Sequence, residues 1–207
     1  LQMSLKSKLK NNELTVGTWL SLAHPGIAEI MVKAGFEWVT VDMEHSVITV
    51  REAEEMIRII DLGGSVPLVR LSSNDSVQIK RMMDAGARGL IVPMVNSIED
   101  VEKAVAAVHY PGKGTRGVGL ARAQGYGVGF HENLNWLKNE AVIIVQIEDI
   151  NAVENIEAIL SCEDVDGYII GPYDLSATMG LHGQFDHPDV VAALNKIREA
   201  GAALKKP

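Results

Sequence analysis

Two apolar runs in this 207-residue chain each end on a carboxylate: Val142-Ile-Ile-Val-Gln-Ile-Glu148 and Gly167-Tyr-Ile-Ile-Gly-Pro-Tyr-Asp174. A run rich in β-branched residues reads as a strand buried on both faces, as in a parallel sheet. Parallel α/β folds build their sites just past the C-terminal ends of such strands. Two carboxylates there suit an oxygen-seeking divalent ion, Mg²⁺ or Mn²⁺, with positions left over for water and a chelating substrate. The other reading makes each acid the cap of the following helix, a task that Asp149 and Ser176 could share. Gln146 alternates with Glu148, so the two point to the same side of the strand. An amide inside a β-branched run needs a polar partner, and a bound ligand would supply one.

Further strand ends carry reactive groups. Asp42-Met-Glu-His45 closes one run. Imidazole ordinarily titrates near neutrality, which makes a strand-end histidine such as His45 a candidate general base. Equally, Asp42 and Ser46 read as turn residues and His45 as an exposed loop histidine. Arg70 lies inside Val66-Pro-Leu-Val-Arg-Leu71. A guanidinium in an apolar strand needs an anion. That anion is either an internal carboxylate, Asp42 or Glu44, or a substrate carboxylate or developing enolate. Asp84, in Met82-Met-Asp-Ala-Gly86, reads by itself as a solvated helix-end residue. Arg116 and Arg122 could contact substrate or a neighbouring subunit, with plain surface arginines the preferred reading of each. Gly114-Thr-Arg-Gly-Val-Gly119 is only a weak likeness of a phosphate loop, since Gly-Lys-Ser/Thr is missing. Trp136 and Leu137 read as packing residues.

The elements that must position these groups alternate. Strand-like runs fall at residues 16–20, 38–42, 67–71 and 90–94, and in the two runs ending at Glu148 and Gly171-Pro172. Helical spacing covers residues 24–34, 76–85, 152–160 and 188–200, with Gly35, Gly86 and Gly201 as stops. Thr49 caps a helix running to Leu62, with Glu52 completing a capping box. Ser97 caps another running to His109. Residues 110–139 read as a long glycine-rich loop, functional or an assembly element.

Repeated βα units imply a parallel sheet with right-handed crossovers. An open doubly wound sheet and a barrel both fit, and functional groups after many different strands favour the barrel. The expected fold is therefore α/β, a (β/α)8 TIM barrel truncated after about six βα units, since a closed barrel needs eight strands. Residues 1–207 form one domain in this reading, with the C-terminal βα units missing and residues 202–207 leading into a further strand.

Composition narrows the class. Hydrophobic residues make up 47% and charged residues 22%, ordinary for a globular domain. The net charge of −8 argues against a nucleic-acid partner. No apolar run approaches the ~20 residues of a membrane span. The N-terminus lacks the apolar core of a signal peptide, and Leu1-Gln2 ahead of Met3 reads as an added remnant. A single cysteine, Cys162, allows no internal disulfide and fits a cytoplasmic setting. No lysine ends a strand, which disfavours imine chemistry. No Gly-x-Gly-x-x-Gly follows the first strand, and no Cys/His pattern marks a structural zinc.

Taken in order, Gly17-Thr-Trp, Asp42-Met-Glu-His45, Pro67-Leu-Val-Arg70, Met83-Asp-Ala-Gly-Ala-Arg-Gly89, Gly114-Thr-Arg-Gly-Val-Gly119, Ala121-Arg-Ala123, Gln146-Ile-Glu148 and Gly171-Pro-Tyr-Asp-Leu-Ser176 form a specific set. The chain resembles the metal-dependent (class II) pyruvate aldolases of the HpcH/HpaI type over roughly residues 14–200. These include hydroxy-oxo-heptanedioate and 2-dehydro-3-deoxyglucarate aldolases. The resemblance implies a (β/α)8 barrel, assembled as a homo-oligomer, commonly a hexamer. It implies that Glu148 and Asp174 hold a divalent ion, Mg²⁺, Mn²⁺ or Co²⁺. It implies that Gln146 and the backbone around Tyr173 and Asp174 contact the oxo acid. It also implies that His45 is the base, that Asp84 raises its basicity, and that Arg70 stabilises the transition state. Tyr173 stands where several members carry a smaller residue.

The expected reaction is retro-aldol cleavage of a 4-hydroxy-2-oxo acid to pyruvate and an aldehyde through a pyruvate enolate. Two other readings stay open on sequence: an enolate-forming lyase acting on an acyl-CoA or a decarboxylase on the same site, and a non-catalytic metabolite-binding oligomer.

Overall fold

In the computed structural model, which describes residues 3–207, six parallel strands pair in the order in which the chain makes them. They are β1 (Gly17–Leu20), β2 (Trp38–Asp42), β3 (Val66–Arg70), β4 (Gly89–Val92), β5 (Val142–Ile147) and β6 (Gly167–Ile170). Leu1 and Gln2, read above as a remnant, lie outside the described residues. An open doubly wound sheet reverses its strand order at a switch point. Here every strand pairs with its successor, always in parallel. This one-way progression curls the sheet into part of a (β/α)8 barrel.

Period-two alternation sorts each strand's side chains between the two faces. Val39, Val41, Val69, Leu90, Val92, Ile143, Val145 and Ile147 face outward into the main core. That core includes buried residues of α3 (Val50–Leu62), α4 (Ser76–Ala85) and α5 (Ile98–Val108). The alternate residues line the concave face. Leu68 and Val142, with Trp38, Val66 and Ile144, pack there against Leu5 of a short helix α1 (Leu5–Lys10), which covers the N-terminal end of the sheet. The same alternation carries Asp42, Arg70, Gln146 and Glu148 to the concave side at the C-terminal end. Asp42 stands directly opposite Arg70 in the β2–β3 register.

Local signals fixed several helix ends as expected. Thr49 and Glu52 close a capping box on α3, and Ser97 and Asp100 do so on α5. The α4 helix stops at Gly86 as the sequence indicates, while His24, read as part of the helical stretch, instead caps α2 (Pro25–Lys33).

Other expectations needed correction. Residues 110–139 are not one loop. They hold a 3₁₀ turn (Arg122–Gly127) and α6 (Phe130–Glu140). Helix α6 has no side-chain cap, and only Asn133 and Leu137 are buried along it, so its sequence carries neither a start signal nor a strong apolar stripe. The single helix expected at residues 152–160 is two, α7 (Ile150–Glu154) and α8 (Ile156–Ser161), parted at Asn155. A short α9 (Pro172–Thr178) follows β6 directly.

The last helix, α10 (Pro188–Leu204), passes through Gly201 rather than stopping there. A Cβ at Gly201 would lie 2.4 Å from the Tyr168 hydroxyl, so this glycine serves close packing against β6. The left-handed stop comes at Lys205. Beyond it, the Pro207 carbonyl accepts a hydrogen bond from the Tyr168 N–H at 3.0 Å, placing Pro207 alongside β6.

Candidate active site

A cleft of about 430 Å³ opens at the C-terminal end of the strands and is lined by Trp19, His45, Arg70, Gln146, Tyr173 and Asp174 among others. This is the size of an ordinary small-molecule site. The strands deliver most of its chemistry. Arg70 donates from Nε to Asp42 Oδ1 at 2.9 Å and from Nη2 to Asp42 Oδ2 at 2.6 Å. Its Nη1 lies 3.3 Å from Glu44 and 3.4 Å from the Gln146 side-chain oxygen. The Trp19 ring covers the guanidinium, 4.7 Å from Cζ to the ring centre. Arg70 thus has the internal anions that sequence offered as one of two partners, while it still lines the cleft.

Glu148 is only 2% exposed. Its Oε1 accepts from the Met94 backbone N–H at 2.7 Å, and its Oε2 is paired with the Gln146 amide. The amide reaches Glu44 as well, at 3.1 Å. A buried amide with carboxylates on both sides and a guanidinium on its oxygen is a fully committed junction. Gly171 lets the end of β6 approach: a Cβ there would sit 2.9 Å from Glu148 Cβ and 3.0 Å from Oε2.

The electrostatics follow from burial and partners. Burial pushes the Asp42 carboxyl up, but the Arg70 hydrogen bonds and the backbone N–H groups of His45 and Glu44 outweigh it and hold Asp42 below its ordinary value. Burial and the Glu148 charge raise Glu44. Burial lowers Arg70, yet Asp42 more than compensates and keeps it firmly cationic.

Asp42, Glu44 and Glu148 act on the one Arg70 guanidinium and Asp174 lines the same cleft, so the site carries surplus negative charge. A hard divalent cation fits this all-oxygen carboxylate set. Among the described residues, no three His, Cys, Asp or Glu side chains converge closely enough to form a metal cage by themselves. An ion held by Glu148 and the exposed Asp174 would therefore take most of its ligands from water and substrate.

Comparison with known proteins fits this geometry. The HpcH/HpaI aldolase/citrate lyase family model matches residues 15–205. The chain belongs to the HpcH/HpaI aldolase/citrate lyase family. It is 40% identical to a 4-hydroxy-2-oxo-heptane-1,7-dioate aldolase of Salmonella typhimurium, over 100% of this chain and 80% of that one. Two solved structures share the fold. An HpcH/HpaI aldolase from Desulfitobacterium hafniense aligns with a TM-score of 0.86 at 34% identity, covering 99% of this chain and 80% of the other. A family protein from Burkholderia cenocepacia aligns at 0.91 and 32% identity, covering 98% and 81%.

Within this HpcH/HpaI fold, not every residue singled out from sequence joins the cleft. His45 lies on its exposed rim, 3.8 Å from Glu44. Asp84, expected by resemblance to support His45, makes no hydrogen bond or ion pair with it among the described residues. It lies instead 3.7 Å from Arg116. Burial raises the Asp84 carboxyl, with Arg116 opposing.

Arg116 is not a surface residue either. It is 3% exposed, stacked 4.2 Å over the Tyr110 ring, and its Nε and Nη1 lack hydrogen-bond partners. Arg122 is tied to Asp61 at 2.6 Å and to the Ala85 carbonyl at 3.2 Å. Trp136 packs under the Arg88 guanidinium and Leu137 is buried, as expected.

Three contributors were not identified as site residues from sequence. Trp19 covers Arg70, Glu44 binds Gln146, and Met94 donates its backbone N–H to Glu148. Met94 adopts φ 53°, a left-handed conformation uncommon for a side-chain-bearing residue. Such local strain concentrates at functional sites.

Proposed function

We propose that this chain is a divalent-metal-dependent aldolase that cleaves a 4-hydroxy-2-oxo acid to pyruvate and an aldehyde. The observation that carries this reading is the junction of Arg70, Gln146 and Glu148 on the concave face, with Asp174 lining the same cleft and, among the described residues, no lysine lining it. Membership of the HpcH/HpaI family and the dioate aldolase name of the Salmonella relative support it.

Glu148 and Asp174 would hold the ion, Mg²⁺, Mn²⁺ or Co²⁺. When bound, it supplies Lewis acidity at the 2-oxo group and neutralises developing enolate charge. The chain's own residues do the rest. Gln146 orients the oxo acid, together with the backbone at Tyr173 and Asp174. His45 accepts the 4-hydroxyl proton, the O–H electrons form the aldehyde C=O, and the C3–C4 pair passes into the enolate. Arg70, its plane locked by Asp42, stabilises the enolate oxygen by preorganised charge. A proton returned to C3 yields pyruvate. In this reading Asp84 supports His45.

The enzyme is also proposed to act in the cytoplasm as a homo-oligomer, a hexamer by family resemblance. No helix among the described residues is long and apolar enough to cross a membrane. Val118, Leu120, Tyr126 and Val128 expose an apolar stretch on the glycine-rich segment, a feature that self-association would cover.

Pyruvate release from 4-hydroxy-2-oxo acids, assayed with and without EDTA, tests the reading. Activity is expected to vanish in EDTA and return with Mn²⁺, and borohydride with pyruvate should trap nothing. EDTA-resistant cleavage or a trapped adduct contradicts it.

A further inference from the structure

The floor of the cleft holds more carboxylate than its guanidinium needs. Asp42 already grips Arg70 at Nε and Nη2. Glu44 brings a second carboxylate to the remaining nitrogen, Nη1, at 3.3 Å. Burying a further charge is unfavourable unless it gains partners, so Glu44 calls for a task besides neutralising Arg70.

The chain holds Glu44 in place. Asp42 Oδ1 accepts from the Glu44 N–H at 3.1 Å and from the His45 N–H at 3.2 Å, an Asx-type turn at the end of β2. The carboxylate that fixes the Arg70 plane thus also fixes the backbone at Glu44. Met43 turns into the main core, and Glu44 turns to the concave side with its side chain only 13% exposed. One oxygen, Oε2, then lies 3.1 Å from Gln146 Nε2, 3.3 Å from Arg70 Nη1 and 3.8 Å from His45 Nε2.

The Gln146 amide is where these contacts act. An amide can turn by half a rotation about its last bond, exchanging donor for acceptor with almost no change of shape. Here its oxygen faces Arg70 Nη1 at 3.4 Å, and its nitrogen faces Glu44 and Glu148. Glu148 has divided duty. Its Oε1 is taken by the Met94 N–H, and its Oε2 would be shared between the amide and the divalent ion of the proposed function. Glu44 is free of that second duty. We infer that Glu44 is a positioning residue for the oxo acid: it sets which way the Gln146 amide faces and keeps it so when Glu148 engages an ion. This rests on the aldolase reading above and deepens it at the oxo-acid end.

Two readouts on the full chain test it. In the metal-free protein, nuclear magnetic resonance identifies the Gln146 side-chain N–H protons by their loss in Gln146→Ala. Their exchange with solvent should quicken in Glu44→Ala and stay close to wild type in Glu44→Gln, whose amide oxygen still accepts. With saturating Mn²⁺, deuterium exchange at the pyruvate methyl group gives the half-saturating pyruvate concentration, which does not depend on how much protein is folded. Glu44→Ala is expected to raise it by about 10-fold, the scale of one charge-assisted hydrogen bond. Glu44→Gln should raise it by about 3-fold or less, since a neutral acceptor remains. Both variants remove the charge, so their difference isolates the hydrogen bond. Glu44→Leu, which fills the space without an acceptor, should match Glu44→Ala. In a Gln146→Ala background, Glu44→Ala should add less than about 2-fold.

Equal effects of Glu44→Ala and Glu44→Gln, or losses that multiply with Gln146→Ala, overturn the positioning role. Unchanged amide exchange in Glu44→Ala overturns it as well. Absence of methyl exchange in the wild type overturns the aldolase reading, and the metal-free amide rates then decide by themselves whether Glu44 holds Gln146.

Discussion

Asp42 and Arg70 face each other across β2 and β3 and share two hydrogen bonds, of 2.9 and 2.6 Å. Sheet register, rather than a loop, brings them together. The guanidinium plane is therefore fixed before any substrate arrives, as electrostatic preorganisation requires. Lysine offers a point charge and cannot hold both oxygens of a carboxylate in this way. Arg70→Lys is expected to lower kcat for pyruvate release by ~10²–10³-fold, the scale of losing one oxyanion donor. Asp42→Asn should lower kcat in the same direction, and the double variant should fall well short of the product of the two losses. Multiplicative losses in steady-state kinetics would separate Asp42 from Arg70.

Met94 tests the strain beside Glu148. Its φ of 53° suits glycine, and its side chain is half exposed, so little packing is at stake. Met94→Gly should leave the urea midpoint unchanged or raise stability by up to about 1 kcal/mol. Met94→Val, β-branched in a left-handed position, should lower it by about 1–2 kcal/mol. Equal midpoints for the two variants would show that the backbone there stores no strain.

How much of this was legible beforehand differs by residue. Glu148, Gln146 and Arg70 were readable because strand alternation fixes the face on which a residue lies. Capped helices such as α3 announced themselves through Thr49 and Glu52. Met94 was invisible, since a backbone N–H carries no side-chain signature and φ is not written in residue type. Arg116 was misread because burial of an arginine depends on how the glycine-rich segment folds back over Tyr110. Asp84 sits on α4 in either reading, and only three-dimensional contacts show it beside Arg116. The edge-to-face contact of Tyr173 with Phe185 escaped notice because Phe185 lies in an irregular segment whose course no local pattern specifies.

Asp84 has two separable roles to test. Arg116 has only this carboxylate as ion-pair partner among the described residues. Asp84→Asn leaves a buried guanidinium without a counter-charge, a change on the order of 3 kcal/mol. The urea midpoint should fall accordingly. If Asp84 supports His45 as well, the pH profile of kcat should shift in the same variant. An unchanged midpoint would remove the Arg116 role.

His109 sets an acid limit on stability. Burial, then Lys113, pushes its imidazole down from 6.5 to about 4. The unfolded chain therefore binds this proton more readily than the folded one. The sign follows: the contribution is undiminished above pH 6.5 and is progressively lost as pH falls toward about 4. The loss amounts to at most ~3 kcal/mol. His109→Gln should flatten the stability profile across that window in urea titrations. Asp42, held below its ordinary value, acts at lower pH: its contribution is lost as pH falls below the usual carboxylate range.

In the proposed mechanism, Glu148 and Asp174 hold a divalent ion that lets this site form a pyruvate enolate. Nuclear magnetic resonance of pyruvate methyl protons in D₂O measures that step without any aldehyde. Wild-type protein with Mg²⁺ is expected to exchange these protons, and both EDTA and Glu148→Gln should stop the exchange. Exchange that persists in EDTA, or in Glu148→Gln at the wild-type rate, would contradict the account.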